Sequence, residues 1–292
     1  MNQLKKILIA TDFSPCADSA FKQAVRMARL NQAQLHVVHA IDGGIAFELA
    51  ELLEASPSEI SNQLKLSAKH EIATMLQQQD TTATVEVQIG TQIESVVTYA
   101  RQIEADILIV GEHGEQTNDA PAGVLASRCL RKGPAKVMLV DRDTPGPFTK
   151  VLACVDFSQS SQAVVEQARR VASQDGGEVK LLHVFNSPWE RLSEAIAPPP
   201  PSIEKQQKHL QSLNEKLEEL SEGLKGVPHQ CEIVSHSNSA HAMTTAAKDW
   251  QANLIIVGKR GYSRWPQMML GSTAESLVRE PNCSVLAVNH LT

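Results

Sequence analysis

The chain has 292 residues, 42% of them hydrophobic and 21% charged, and its 27 basic and 33 acidic side chains give a formal net charge of −6. That length and apolar share suit one large or two medium globular domains, and the negative balance argues against a general nucleic-acid surface. The five cysteines (Cys16, Cys129, Cys154, Cys231, Cys283) include no Cys-x-x-Cys pair, which fits buried thiols in a reducing compartment and neither a zinc site nor a disulfide frame.

Near the start, the apolar run Ile7 to Ala10 is too short for a signal peptide, and no later run approaches a membrane span. The expectation is a soluble cytoplasmic chain with no membrane partner. Lys6 to Ala10 reads as a short buried strand that ends in Thr11-Asp12. Ser14-Pro15 then supplies an N-cap with proline at the first helical position. Ala17, Ala20, Phe21, Ala24, Val25 and Ala28 recur at helical spacing, so a helix is expected to about Arg29, followed by a strand over Gln34 to Ala40.

The same pattern returns 144 residues later, counted from Asp12 to Asp156. Lys150 to Ser158 repeats the strand, the Asp-Phe-Ser turn and the helix start. Gln167, Ala168, Arg170, Ala172 and His183 fall opposite Gln23, Ala24, Arg26, Ala28 and His39, with no gap needed from Lys6 to Ile41. A duplication of this length means two domains and not a solenoid. We place them at residues 1–142 and 149–292, joined by the polar, turn-rich segment Asp141 to Thr149.

The middles of the halves differ more. Between Gly43 and Gln79, the apolar positions from Leu49 to Leu76 read as one or two helices broken near Pro57, whereas the second half has Trp189 and then Pro198 to Pro201, a stiff extended spacer. Ile203, Leu210, Leu213, Leu217, Leu220 and Leu224 form a stripe of about three heptads. That length favours a helix packed on its own sheet over a coiled-coil partner. Both halves then return to strand, helix and strand: Val85 to Ile89, Ile93 to Ile103 and Asp106 to Val110 in the first, Cys231 to Val234, Ala240 to Trp250 and Leu254 to Val257 in the second. Lys136 to Val140 and Ser284 to Val288 close each half. The alternation implies an α/β fold, two tandem Rossmann-like domains, each a parallel five-stranded sheet flanked by helices. The closing strands, around Met138 and Leu286, would be exposed edges if unpaired, so the domains are expected to pair through them within the chain. Homodimerisation is compatible with this.

The stretch with most chemistry is Gly258-Lys259-Arg260-Gly261, then nine residues, then Gly271-Ser272-Thr273. Glycines let backbone approach a ligand without Cβ interference, and a helix start at Ser272 would offer free N–H groups and hydroxyls to an anion. Lys259, Arg260 and Arg264 add positive charge, which makes the loop a phosphate cradle. Open parallel sheets bind ligands beyond the carboxyl ends of their strands, where Asp156 and Val184 also fall. Asp156 can equally serve as a cap of the helix that follows it. His39 and His183, at the ends of buried strands, are read as structural, hydrogen-bonded histidines. His236 and His241 lack an evident third metal partner, and no nucleophile–base pair or carboxylate set for phosphoryl transfer stands out, so neither a metal nor a catalytic residue is assigned.

The Gly-x-x-Gly-x9-Gly-Ser-Thr loop and the paired Asp-Phe-Ser turns, with the strand ends His39-Ala40 and His183-Val184, resemble the universal stress protein family, here as two such domains in tandem across essentially the whole chain. The resemblance implies an adenine nucleotide alpha hydrolase-like fold and ATP or ADP, with or without Mg²⁺, as ligand. It implies that Asp156 and Val184 hold the adenosine and that Gly258, Gly261, Gly271, Ser272 and Thr273 hold ribose and phosphates, with Val257 and Lys259 beside them. The expected function is a nucleotide-dependent regulatory or interaction module in a cytoplasmic stress response, with a protein partner that the sequence does not name. A slow ATPase and a nucleotide-free scaffold are the alternatives. In the first half the aligned loop reads Gly111-Glu112-His113-Gly114, then Gly123-Val124-Leu125, one residue shorter and without the two hydroxyls. Glu112, Glu115 and Asp119 replace the three basic residues, so the first domain is expected not to hold nucleotide phosphates.

Overall fold

The computed structural model describes residues 4–112, 124–134, 136–143, 145–187, 201–259, 271–279 and 281–289. The chain divides into two compact units, Met1–Pro145 and Gly146–Thr292. Trp189 and Pro198 to Pro200 lie outside the described residues, and Pro201 leads into the next helix.

The first unit runs β1 (Lys6–Ala10), α1 (Pro15–Asn31), β2 (Gln34–Ile41), α2 (Gly43–Leu52), α3 (Pro57–Gln78), β3 (Thr84–Ile89), α4 (Gln92–Gln102), β4 (Ile107–Gly111), α5 (Val124–Lys132) and β5 (Lys136–Val140). Its strands lie in the order β3-β2-β1-β4-β5, and every pair is parallel. Helix α1 starts where its cap chemistry puts it: Ser14 Oγ accepts the Ala17 N–H at 3.2 Å and Pro15 occupies the first turn. The stretch between Gly43 and Gln79 resolves into two helices, because Pro57, which cannot continue a helix from before it, opens α3.

The second unit runs β6 (Lys150–Val155), α6 (Ser160–Asp175), β7 (Glu178–Phe185), α7 (Ile203–Ser221), β8 (His229–Ser235), α8 (Ser239–Trp250), β9 (Leu254–Gly258), α9 (Ser272–Arg279) and β10 (Ser284–Val288). Its order is β8-β7-β6-β9-β10, again parallel throughout. The leucine stripe divides along its length. Leu213, Leu217 and Leu224 are buried, with α7 against β7 and β8, whereas Ile203 and Leu210 near its start face solvent. Here α6 starts at Ser160, one residue later than a Ser158 cap implies, although Ser158 Oγ still accepts the Ser160 N–H at 3.3 Å.

The duplication extends to single hydrogen bonds. Lys6 Nζ donates to Ile103 O at 2.9 Å and Lys150 Nζ to Trp250 O at 3.2 Å. Asp106 accepts the Lys6 N–H at 2.8 Å, and Asn253 Oδ1 accepts the Lys150 N–H at 3.1 Å. Both cores are the strands themselves: Ile7 to Ile9, Ile107 to Val110, Val151 to Ala153 and Leu254 to Ile256 are almost wholly buried. Near-continuous apolar runs are what strands covered on both faces require. Among the described residues no helix is long and apolar enough to cross a membrane.

Candidate functional site

In the second unit the chain goes from β6 outward to β7 and β8, then returns across β6 to β9 and β10. The strand order therefore reverses between β6 and β9, which opens a crevice at their carboxyl ends. The register lines up the candidate residues there. Val155 pairs with His183 and Cys154 with Val257, so Asp156, Val184 and Gly258 leave three neighbouring strand ends side by side. Val257 and Val184 are both buried.

Asp156 sits in a tight turn that both units share. Its Oδ1 accepts the Ser158 N–H at 3.0 Å and the Ser161 hydroxyl at 3.3 Å, which leaves Oδ2 without a partner among the described residues. Asp12 Oδ1 accepts the Ser14 N–H at 3.0 Å in the same way. Between Asp and Ser, Phe157 and Phe13 adopt φ of 61° and 65°, a left-handed conformation uncommon for a bulky residue. Stacking holds each ring in place: Phe157 lies 4.2 Å from the His183 ring and Phe13 lies 4.5 Å from that of His39. Those histidines are in turn fixed to the main chain, His183 Nδ1 to Val155 O and His39 Nδ1 to Thr11 O, both at 2.8 Å. Burial holds the His183 pKa below the ordinary value, against the opposing pull of its backbone bond and of Asp156. The structural reading of both histidines follows from these bonds. Sequence reasoning does not single out the phenylalanine itself, whose signal is its recurrence between the same two residues. Lys216 on α7 is a second such residue, its Nζ 6.0 Å above the Phe157 ring.

Beyond β9 the backbone is pinned at both ends of the loop. The Lys259 N–H donates to Val288 O at 2.7 Å, and the Gly271 N–H donates to Lys259 O at 2.9 Å. The chain therefore re-enters beside the point where it left, and α9 begins at once with Ser272. The first α9 helical bond runs from Glu275 N to Gly271 O at 3.0 Å, so the N–H groups of Ser272, Thr273 and Ala274 have no acceptor within the helix. With the hydroxyls of Ser272 and Thr273 they form a donor cluster at a positive helix end, chemistry suited to phosphate oxygens. The N–H of Gly271 is already occupied, so this glycine would contribute space. Lys259 is 4% exposed, and the bond from Gly271 to its carbonyl oxygen sets it beside the start of α9. Gly261, Arg260 and Arg264 lie outside the described residues.

The first unit builds the same frame with opposite charge. The Glu112 N–H donates to Val140 O at 3.1 Å, the counterpart of the Lys259 bond, so Glu112 occupies the position of Lys259. It is 9% exposed and hydrogen-bonded to Asp141; burial, that bond and the charges of Asp141 and Asp143 push its pKa up to about 8. Gly111, which the sequence pattern offers as a ligand glycine, has a packing reason here. A Cβ on it would meet the backbone of Cys16 and Ala17 at 2.8 Å, where α1 begins. Gly114, Glu115, Asp119 and Gly123 lie outside the described residues. His236 and His241 stack at 5.4 Å between ring centres, and His236 Nδ1 accepts the Asn238 N–H at 2.9 Å.

A model of the universal stress protein family matches residues 3–141 and again residues 147–289. Among relatives, a universal stress protein of Mycobacterium tuberculosis is 25% identical over 308 residues, spanning 96% of this chain and 93% of its own. Another, from Bacillus subtilis, is 29% identical over 149 residues, 48% of this chain and 99% of its own. Among solved structures, a universal stress protein from Archaeoglobus fulgidus superposes with a TM-score of 0.67 at 18% identity, covering 99% of this chain and all (100%) of its own. That likeness is one of fold.

Proposed function

Because the chain belongs to the universal stress protein family, with two of the family's domains in tandem, we propose that its second domain binds ATP or ADP and that the protein acts as a nucleotide-dependent regulatory or interaction module in a cytoplasmic stress response. The observation that carries this reading is the donor cluster at the start of α9. It is closed at its base by the Gly271–Lys259 hydrogen bond and lies on the same sheet edge as Asp156 and Val184. In this reading Asp156 and Val184 take the adenosine. Val257, Gly258, Lys259, Gly261, Gly271, Ser272 and Thr273 surround the ribose and phosphates. The first domain is the non-binding partner, because Glu112 places a carboxyl group where Lys259 places an ammonium.

Titration calorimetry on the full chain tests both halves of the proposal. We expect one ATP per chain, lost on Gly271→Val, whose branched side chain fills the space of a phosphate, and unaffected by Gly123→Val. Nucleotide at about 100 times its dissociation constant should stabilise the fold by ~2.7 kcal/mol. A stoichiometry of two would refute the asymmetry, and a thermal shift retained in Gly271→Val would refute the site. Multiple-turnover phosphate release by the pure protein separates a binding module from a slow ATPase.

A further inference from the structure

Helix α2 is built inside out. An amphipathic helix on a domain surface ordinarily turns its large apolar side chains inward. In α2 the buried residues are Ala46 and Ala50, whereas Ile45, Phe47 and Leu52 are 42%, 62% and 79% exposed, and Leu53 just beyond its end is 60% exposed. Small residues let the helix lie close on α3, and the large ones are left facing solvent. Each exposed leucine or phenylalanine forgoes burial that would stabilise the fold. Scattered apolar side chains on a surface need no explanation, but four in nine residues on one short helix do.

The charge around them has one sign. Glu48, Glu51, Glu54 and Glu59 are all exposed, and none forms an ion pair among the described residues. No lysine or arginine occurs from residue 30 to residue 64. Glu51 lies in the last turn of α2, which has no basic residue, and Glu54 lies just after it. Carboxylates at the negative end of a helix dipole are unfavourable there, and a cation is what that end favours. At about 100° per residue the exposed arc reads Phe47, Glu51, Glu48, Leu52, Ile45 across the helix, two apolar edges with an acidic ridge between them.

We infer that the exposed face of α2 is a docking surface for a protein partner that presents a cationic amphipathic helix, with lysine or arginine seated on Glu48 and Glu51 and apolar residues on Phe47 and Leu52. The acidic ridge selects this occupant. A second copy of the chain would bring like charge against like, and an anionic lipid surface would be repelled. The inference is independent of nucleotide binding in the second domain.

The test uses the full chain and a fluorescein-labelled peptide of leucine and lysine about 18 residues long, patterned as an amphipathic helix, with anisotropy read at physiological salt. We expect micromolar binding, weakened about tenfold or more by scrambling the peptide, by Phe47→Ser with Leu52→Ser, and by Glu48→Lys with Glu51→Lys. The charge-reversed variant should instead gain affinity for the matching leucine/glutamate peptide. All replaced side chains are exposed, so circular dichroism melting of both variants should match the parent. Four results would overturn the inference: no binding at ~1 mM peptide; equal binding by parent and variants; a parent dimer that Phe47→Ser with Leu52→Ser dissolves; or capture of the parent, but not that variant, by phosphatidylcholine vesicles.

Discussion

Replacing Glu112 with glutamine should make the first domain more stable in alkali and leave it unchanged in acid. Glu112 is nine-tenths buried, hydrogen-bonded to Asp141 and close to Asp143, and its pKa is pushed up to about 8 from an ordinary value of 4.5. Because the folded pKa lies above the unfolded one, the folded chain holds one more proton than the unfolded chain between those values. Stability therefore falls as pH rises from about 4.5 to about 8 and is level beyond. At ~1.4 kcal/mol per tenfold, that difference corresponds to at most roughly 4–5 kcal/mol. Relaxation and water penetration around the new charge reduce that loss. We expect about 2 kcal/mol. Glutamine keeps the shape and a donor for Asp141 but cannot ionise. For a domain of this size, about 2 kcal/mol corresponds to a rise of roughly 6 °C in melting temperature. Differential scanning calorimetry of parent and Glu112→Gln at pH 5 and pH 8.5 should show near-coincident transitions at the lower pH and that separation at the higher. An equal separation at both pH values would refute the raised Glu112 pKa.

Gly111→Ala should destabilise the first domain by about 1–3 kcal/mol, since the new methyl group meets α1 backbone at 2.8 Å and not a side chain that could turn aside; a denaturant midpoint equal to the parent's would show that α1 moves freely. Ser14→Ala removes the α1 cap bond to Ala17 and should cost about 1 kcal/mol in urea unfolding, with Ser14→Thr restoring most of it. Burial, and less strongly Lys6, lowers the pKa of His36, whose Nδ1 meets the Tyr99 hydroxyl at 3.3 Å and whose Nε2 is buried without a partner among the described residues. The unfolded chain therefore takes up this proton first as pH falls through 6.5, and stability declines below that value. His36→Leu should flatten that part of the stability curve in denaturant melts between pH 7 and pH 5; an unchanged slope would place the acid sensitivity elsewhere.

The element order, the duplication and the family were legible in the sequence because they rest on neighbouring residues. Apolar runs such as Leu254 to Val257, the Ser14-Pro15 cap and the break at Pro57 act through local backbone preference, and the repeat from Lys6 to Ile41 is visible by counting. The candidate residues Asp156, Val184 and Gly258 were likewise found from their places at strand ends. That they leave adjacent strands side by side depended on the order β7-β6-β9 and on its register. No residue spacing encodes this, since strand neighbours are chosen by burial across the whole sheet. The same holds for Glu112 and Asp141, which are far apart in sequence and meet because β4 and β5 pair. It holds for Gly111, whose freedom serves α1 packing, and for the left-handed Phe157, held by a turn below it and a histidine beside it. The face that α2 turns outward was decided only when Ala46 and Ala50 found α3. Periodicity shows that a helix has two sides, and only the packed neighbour determines which side is covered.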